Sequence, residues 1–482
     1  MDLRFNTLIL FTANRYVCYA LLFLRGVMIA KFLGPYLYGV WSFLTLVQQY
    51  LGYTGLGLNF AANVELSTGL APDSAERREV ISSSFTLTAL VALAVCLVVF
   101  LLQVLRVPWL ESYPGNEFLL PVTVIAGLTN VQQLLVNVYR CYGKLGKIVF
   151  SELSLAVLTV LILFFFKDKA LISASIGAMI VAICLNLAVF LFRPPFPIGF
   201  SIRGAVSKRL LGIGIPLLVY NFSFILITLI GRTIVGMYYP IEAMGIYSFA
   251  NVISGTAMLA VESVAWIIFP SILSRIHEGV DNESAAATLD RVRDFYATSV
   301  FATVFAIILC LPILFYFLPS YRPALETLNI LLLSQALLSI SFGYNCLAIA
   351  RKKQIAISLI SLATVALIGC LSAACAYLKF DLSFIAVSVF TGSLLFVFVQ
   401  GCFGHYLLNR NWRVDIRRVF PVSSVASAIL LLLGVLLHYQ FTMYLIGVSV
   451  FILGNTKPLR EMGRYFLARC SFIPSRVRFD ET

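Results

Sequence analysis

Charge is what this chain has least of. Lys, Arg, Asp and Glu make up 12 % of its 482 residues, while 60 % are hydrophobic. So little charge cannot clothe the surface of a soluble globule, where about a quarter of residues are charged. The three histidines, His277, His405 and His438, are too few and too far apart to form a metal site. Ten cysteines are scattered without a CxxC, mostly inside apolar segments (Cys18, Cys96, Cys184, Cys310, Cys370, Cys375), and read as small buried hydrophobes. No glycine-rich loop precedes a Lys-Ser or Lys-Thr, which argues against direct ATP hydrolysis. Long polar stretches are missing too. The longest runs about 26 residues, from Ser271 to Tyr296, and mixes acids with bases as in Asp290-Arg291-Val292-Arg293-Asp294. It reads as a solvated interfacial helix between two spans. There is no soluble domain and no large external loop on which an enzyme or polymerase would hold a substrate. No catalytic residue, metal or cofactor is expected.

What fills the chain is apolar. A helix needs about 20 apolar residues to cross the hydrocarbon core. Fourteen segments approach that: 8–30, 38–60, 81–105, 118–138, 148–166, 170–192, 210–233, 244–270, 297–317, 324–348, 355–378, 383–408, 419–437 and 440–456. The last is short. Of 35 Lys and Arg, the even-numbered loops and both termini hold 26, and the odd-numbered loops hold 6. By the positive-inside rule both termini are cytoplasmic, which requires an even number of spans. Twelve or fourteen both satisfy this, and fourteen is the reading adopted. The net charge of +13 is thereby explained by loops that anchor against anionic membrane lipids, with no nucleic acid partner. The first apolar stretch is long, carries Asn14 and Arg15 and lacks a small-residue cleavage site, so it is expected to stay as the first span.

The chain repeats itself. Arg25 is followed by Lys31-Phe-Leu-Gly-Pro and then Tyr38-Gly39-Val-Trp-Ser-Phe43; Arg232 is followed by a turn with Pro240 and then Met244-Gly245-Ile-Tyr-Ser-Phe249. The arginine-to-glycine separations are 14 and 13, and the glycines are 206 residues apart, which is six spans. An even number makes the copies parallel, related by an axis along the membrane normal. The expected fold is an all-α polytopic membrane protein: a six-helix lobe (1–192), a cytoplasmic linker (193–209), a second six-helix lobe (210–408), an additional helix pair (409–456) and a basic cytoplasmic tail (457–482). A glycine opening each of these spans allows a close helix approach, or bending during alternating access.

Three arginines remain inside the apolar segments: Arg15, Arg25 and Arg232. A guanidinium there is costly and faces a partner, a cavity or a pathway. Neutral polar residues accompany them at helical spacing: Tyr19 with Arg15 and Arg25; Asn130, Gln133 and Asn137; Asn221 with Arg232; Asn251 with Glu262. Gln48, Gln49, Gln335 and Asn345 add to the set. The candidate substrate-binding residues are therefore Arg15, Arg25, Arg232, Tyr19, Asn130, Gln133, Asn137, Asn221 and Asn251, with interhelical hydrogen bonding as the plainer role for each amide. Glu262 and Glu152 are candidates for ion coupling or for charge pairing, Glu262 with Arg232 or Arg25.

The chain resembles the polysaccharide and O-antigen flippases of the Wzx type. These belong to the multidrug/oligosaccharidyl-lipid/polysaccharide exporter superfamily, together with the lipid II flippase and the MATE drug exporters. The residues that carry the resemblance are Ala30-Lys31-Phe32-Leu33-Gly34-Pro35-Tyr36-Leu37-Tyr38-Gly39, Tyr53-Thr54-Gly55-Leu56-Gly57, Leu211-Gly212-Ile213-Gly214-Ile215-Pro216, Ala243-Met244-Gly245-Ile246-Tyr247-Ser248 and Phe269-Pro270. The resemblance implies two six-helix lobes around a cationic central cavity, to which Arg15, Arg25 and Arg232 are matched. It also implies a bacterial inner membrane and an undecaprenyl-pyrophosphate-linked glycan (an O-antigen, capsule or exopolysaccharide unit) as the substrate moved to the outer leaflet. Glycan polymerase and glycosyltransferases are the partners it suggests. A proton or sodium gradient would supply energy, and a monomer would suffice because each lobe supplies half the cavity. Two other functions stay open: a cation-coupled small-solute or drug exporter on the same scaffold, which calls for an acidic cavity, and a membrane polysaccharide polymerase or glycosyltransferase, which calls for a large external loop.

Overall fold

The structure, a computed structural model, describes residues 5–67, 74–108, 113–196, 199–276, 281–409 and 419–460, with side chains from residue 13 onward except most of those between 257 and 276 and those at 409 and 440. The protein is all-α, and among the described residues ten helices are long and apolar enough to cross a membrane. Their outer faces stay apolar: Leu93, Leu97 and Val98 of one helix are all more than half exposed, a surface that only hydrocarbon would cover without cost.

Helix α1 (Phe5–Leu51) takes in the first expected segment and more than half of the second, and is not a single rod. Gly34 has φ 65° and ψ 173°, and Pro35 follows it. A straight helix would hold Arg25 and Trp41 about 24 Å apart along its axis. Instead the Arg25 guanidinium carbon lies 5.8 Å from the Trp41 ring centroid. The arms 5–33 and 35–51 therefore double back at Gly34.

Together with the helix that follows, the second arm runs beyond the expected 38–60, and it is broken. A turn at 52–57, with Leu56 at φ 51° and Gly57 at φ 71°, joins it to α2 (Leu58–Ser67). Helix α4 (Leu119–Cys141) runs beside both pieces in the same direction. Asn130 Nδ2 donates to the Leu51 carbonyl at 3.5 Å, Asn137 Nδ2 to the Asn59 carbonyl at 3.2 Å, and Arg140 Nη2 to Asn63 Oδ1 at 2.7 Å. The glycine-rich stretch thus interrupts the span instead of ending it.

The first half continues with α3 (Ala75–Val104), α5 (Leu145–Leu161) and α6 (Asp168–Leu191). Ser74 caps α3 by accepting the Arg77 N–H at 3.2 Å. The second half holds α7 (Gly204–Tyr238), α8 (Ile241–Ile276), α9 (Asn282–Phe317), α10 (Leu325–Ala350), α11 (Gln354–Tyr377) and α12 (Leu382–Asn409). No break separates the expected interfacial helix before residue 297 from the span that follows, so α9 is one helix of 36 residues. Three causes are visible. Asp281 caps its start by accepting the N–H groups of Glu283 and Ser284 at 3.1 and 3.2 Å. Ala285 and Leu289 pack into a cluster with Ile272, Ile276 and Leu347. Arg293 is neutralised by Asp290 at 3.0 Å and Asp294 at 2.8 Å. Likewise α7 starts at Gly204, inside the expected linker.

The last two helices, α13 (Val422–Leu436) and α14 (Gln440–Gly454), have 15 residues each. At about 22 Å they are shorter than the ~30 Å hydrocarbon core. Tyr444 Oη donates to the Phe305 carbonyl at 2.9 Å, and buried Asn455 bonds Thr298, Ser423 and Ser424, which ties the pair to α9.

Loop contacts segregate onto two faces. Arg209 meets Glu65 and Glu76, Arg203 meets Glu79, Lys147 reaches the Phe192 carbonyl, and Arg351 reaches Asn282. All of these join even-numbered, basic loops. On the opposite face Lys169 meets Glu117, Tyr321 bonds the Ala30 carbonyl, Tyr239 bonds the Phe380 carbonyl and His438 faces Glu326. The basic loops therefore share one end of the molecule.

Candidate functional site

The two copies of the repeat meet each other at the end away from the basic loops. A side chain on Gly39 would collide with the Ile241 carbonyl, and one on Gly245 would collide with the Pro35 carbonyl. The contact is reciprocal: Gly39 and Gly245 are 206 apart in sequence, and so are Pro35 and Ile241. Each glycine lets its helix press against the backbone that opens the other copy. Nearer the basic end, Gly57 and Gly214 make a second backbone contact between the halves, which only glycine at Gly57 permits, both for its positive φ and for the space.

Buried guanidinium groups line this seam. Arg232 is 1 % exposed. Its Nη2 donates to the Ser42 carbonyl at 2.7 Å and to Thr45 Oγ1 at 3.3 Å, and its Nη1 donates to Gln49 Oε1 at 3.4 Å. Thr233 and Tyr50 add a 2.6 Å hydroxyl pair beside it. Arg25 sits over Trp41, and its Nη2 lies 3.5 Å from Met179 Sδ. Among the described residues neither Arg25 nor Arg232 forms a salt bridge, and the Nε of each is buried with no hydrogen-bond partner. Arg15 stands apart: its Nη2 is 3.6 Å from Glu152 Oε1, and Asn14 Nδ2 donates to Glu152 Oε2 at 3.4 Å. Glu262, the other acidic candidate, lies on α8, and its side chain is outside those described.

Each half also contributes most of a cavity, and apart from α7, which lines both, the helices bounding the two correspond under the repeat. The smaller, about 300 Å³, is lined by the 52–60 break, Thr88 of α3, Thr129, Asn130 and Gln133 of α4, and Leu218 of α7. The larger, about 660 Å³, mixes polar and apolar walls: Asn221, Phe224, Ile225 and Thr228 of α7, Gly255 and Met258 of α8, Tyr296 of α9, and Gln335, Leu338, Ser339, Ser341, Phe342 and Asn345 of α10. None of the described residues lining either cavity is charged.

Several sequence candidates are thus brought together and others are not. Asn130 and Gln133 share the first cavity, and Asn221 lies in the second. Asn137 is committed to the Asn59 carbonyl. Tyr19 and Asn251 are half-buried and line neither cavity. None of the three arginines lines either of these two cavities: Arg25 and Arg232 flank consecutive residues of α1, and Arg15 pairs with Glu152. Sequence reading passed over Ser42, Thr45, Ser339 and Ser341. The signal was present in the spacing of Ser42, Thr45 and Gln49 at i, i+3 and i+7, and of Gln335 with Ser339 and Ser341 with Asn345 at i, i+4. Among the described residues no group of His, Cys, Asp and Glu could hold a metal ion.

The fold is that of known transporters. Over 95 % of this chain and all of the other, it superposes on the lipid II flippase MurJ in its inward closed conformation, with TM-score 0.67 and 15 % identity. An inward-facing MATE-family multidrug resistance transporter of the MOP superfamily gives 0.62 at 13 % identity, covering 82 % of this chain and 94 % of that one. A MOP-superfamily transporter from Pyrococcus furiosus, described as having a binding pocket of reversed polarity, gives 0.57 at 12 %, covering 84 % and 95 %. No curated protein matches the sequence. A family model described as "Polysaccharide biosynthesis protein" matches residues 28–314. That match takes in Gly39, Gly57, Gly214 and Gly245, the four glycines at the seam, and runs over more than half of the chain, which therefore belongs to the polysaccharide biosynthesis protein family.

Proposed function

We propose that this protein is a flippase of the Wzx type. It moves an undecaprenyl-pyrophosphate-linked oligosaccharide, the repeat unit of an O-antigen, capsule or exopolysaccharide, from the cytoplasmic to the outer leaflet by alternating access. The basic end of the molecule is cytoplasmic, with both termini there, in a bacterial inner membrane. The chain crosses fourteen times: lobes 1–192 and 210–408 face each other across the seam, and the pair at 409–456 is added outside them. No bond is made or broken. The protein works as a monomer, drawing on a proton or sodium gradient, with the pathway's glycosyltransferases and polymerase as partners.

The observation that carries this reading is the pair of guanidinium groups, Arg25 packed in the first half and Arg232 bridging the halves, which among the described residues have no carboxylate partner. Each keeps an Nε with nothing to bond. Such groups suit a large anion, and the guanidinium fork suits phosphate oxygens in particular. A pyrophosphate with its sugars cannot cross about 30 Å of hydrocarbon unaided. Buried cations and neutral polar cavities offset that desolvation. In the conformation described, the seam at the outer end is closed by Gly39, Gly245 and Arg232. Opening it would break the Arg232 bonds to Ser42, Thr45 and Gln49 and leave the guanidinium facing the lumen. A small-cation exporter would call for acids in the cavities, and the described residues lining both are uncharged.

The test is translocation of a fluorescent undecaprenyl-pyrophosphate oligosaccharide in proteoliposomes. Transfer by the wild type, abolished by Arg25→Ala and by Arg232→Ala at equal reconstitution, is the expected result. Normal flux from both variants would remove the cationic site. No transfer under an imposed proton or sodium gradient would point instead to a small-solute exporter.

A further inference from the structure

We infer that the 660 Å³ cavity of the second half is the glycan subsite, and that it selects sugars without charge; this rests on the flippase reading above. Its size falls within the range of about 300–1,000 Å³ usual for ligand sites. Its polar lining consists of amides and hydroxyls, including Asn221, Gln335, Ser339 and Asn345, and none of the described residues that line it is charged. Sugar hydroxyls both donate and accept, and so do these groups.

The lining is set in advance. Gln400 Nε2 donates to Asn345 Oδ1 at 2.6 Å, and Asn345 Nδ2 donates to Ser341 Oγ at 3.3 Å, which fixes that amide. Asn221 Nδ2 is tied to the Leu217 carbonyl at 2.7 Å, so its oxygen is the free end. The Gln335 amide has no hydrogen-bond partner among the described residues and is half-buried at the wall. Tyr296 and Phe342, tilted rings 4.9 Å apart, supply a flat apolar wall for the C–H face of a pyranose.

Position links this cavity to the arginine. Asn221 and Arg232 lie eleven residues apart on α7, which is three helical turns, about 16 Å, and nearly the same face. A diphosphate held at Arg232 would lead its sugars down that face to Asn221. A carboxylate carried into the cavity would meet no cation among the described residues that line it, Arg232 lying about 16 Å away along α7. An unpaired buried carboxylate is strongly disfavoured. A neutral hexose at the same place loses nothing comparable.

The experiment uses two fluorescent polyprenyl-pyrophosphate trisaccharides that differ in one residue, a hexose in one and its hexuronic acid in the other. Proteoliposomes carry the wild type, Gln335→Leu, Gln335→Arg or Asn221→Ala. The wild type is expected to move the neutral compound at least about tenfold faster, the ratio given by one well-placed polar contact. Gln335→Leu and Asn221→Ala should each slow the neutral compound, and Gln335→Arg should raise the rate of the acidic one towards it. Asn221→Ala reads the same cavity from another helix should the Gln335 variants fail to insert. Equal wild-type rates for the two compounds, or a preference untouched by any variant, would overturn the neutral subsite while leaving the flippase intact. Movement of neither compound would overturn the flippase reading itself.

Discussion

Arg232 donates to the backbone carbonyl of Ser42 at 2.7 Å, and Ser42 directly follows Trp41, the ring beneath Arg25. One turn of α1 thus receives a guanidinium from its own preceding arm and another from the second half of the chain. Among the described residues both cations are held by neutral groups: a carbonyl, a hydroxyl, an amide and a ring face. That arrangement holds the charge in place without cancelling it. It also makes Arg232 a link across the seam in the conformation described.

Arg232→Lys is expected to behave nearly as badly as Arg232→Ala. A lysine keeps the charge but cannot reach Ser42, Thr45 and Gln49 as a planar fork. A loss of at least about tenfold in flux per reconstituted molecule is expected, consistent with losing one or more charged hydrogen bonds. Flux within twofold of wild type for Arg232→Lys would show that the fork does not matter.

Gly39→Val and Gly245→Val should wedge the outer seam. Each added side chain would overlap a carbonyl of the other copy, Ile241 or Pro35. Spin labels at positions 31 and 322, both exposed at that end, should report longer distances in each variant, with flux lost. An unchanged distance distribution would mean that the seam yields elsewhere.

Gly57→Ala tests the break in the second span. The residue sits at φ 71° and its Cβ would meet the Gly214 backbone. The positive φ alone costs about 1–3 kcal/mol for a residue with a side chain. Thermal unfolding in detergent should show a lower midpoint than Gly177→Ala, where a Cβ meets nothing within 4 Å. Equal midpoints would contradict the backbone contact.

Asn455→Ala should loosen the last helix pair. The side-chain amide donates to Ser423 Oγ at 2.8 Å and to the Phe451 carbonyl at 2.9 Å, and its oxygen accepts from Thr298 at 3.3 Å. Leaving those buried partners unpaired costs about 1–3 kcal/mol. Hydrogen exchange should rise in α13 and α14 and stay unchanged in α10. A uniform rise would indicate global destabilisation instead.

The sequence by itself determined the membrane class, the alternation of basic and neutral loops, the 206-residue repeat and the presence of arginines within the spans. These are local properties: a 20-residue window is apolar or it is not, and a loop is basic or it is not. Residues at i, i+3 and i+7 share a helix face whatever surrounds them. Tertiary structure decided what those faces meet. Arg15 is paired with Glu152, Arg25 lies against Trp41 and Met179, and Arg232 is lodged at Ser42, each partner belonging to another helix or arm. Nothing in the spacing along one helix specifies which neighbour lies opposite. The break at Leu56 and Gly57 was hidden for a related reason. Its glycines are equally consistent with the end of a span, and only the parallel course of α4 beside both pieces shows that the chain runs on to Ser67. The fusion of the Asp281–Tyr296 stretch into α9 follows the same logic, because a charged helix stays continuous once its acids neutralise Arg293 and its apolar face finds α8 and α10.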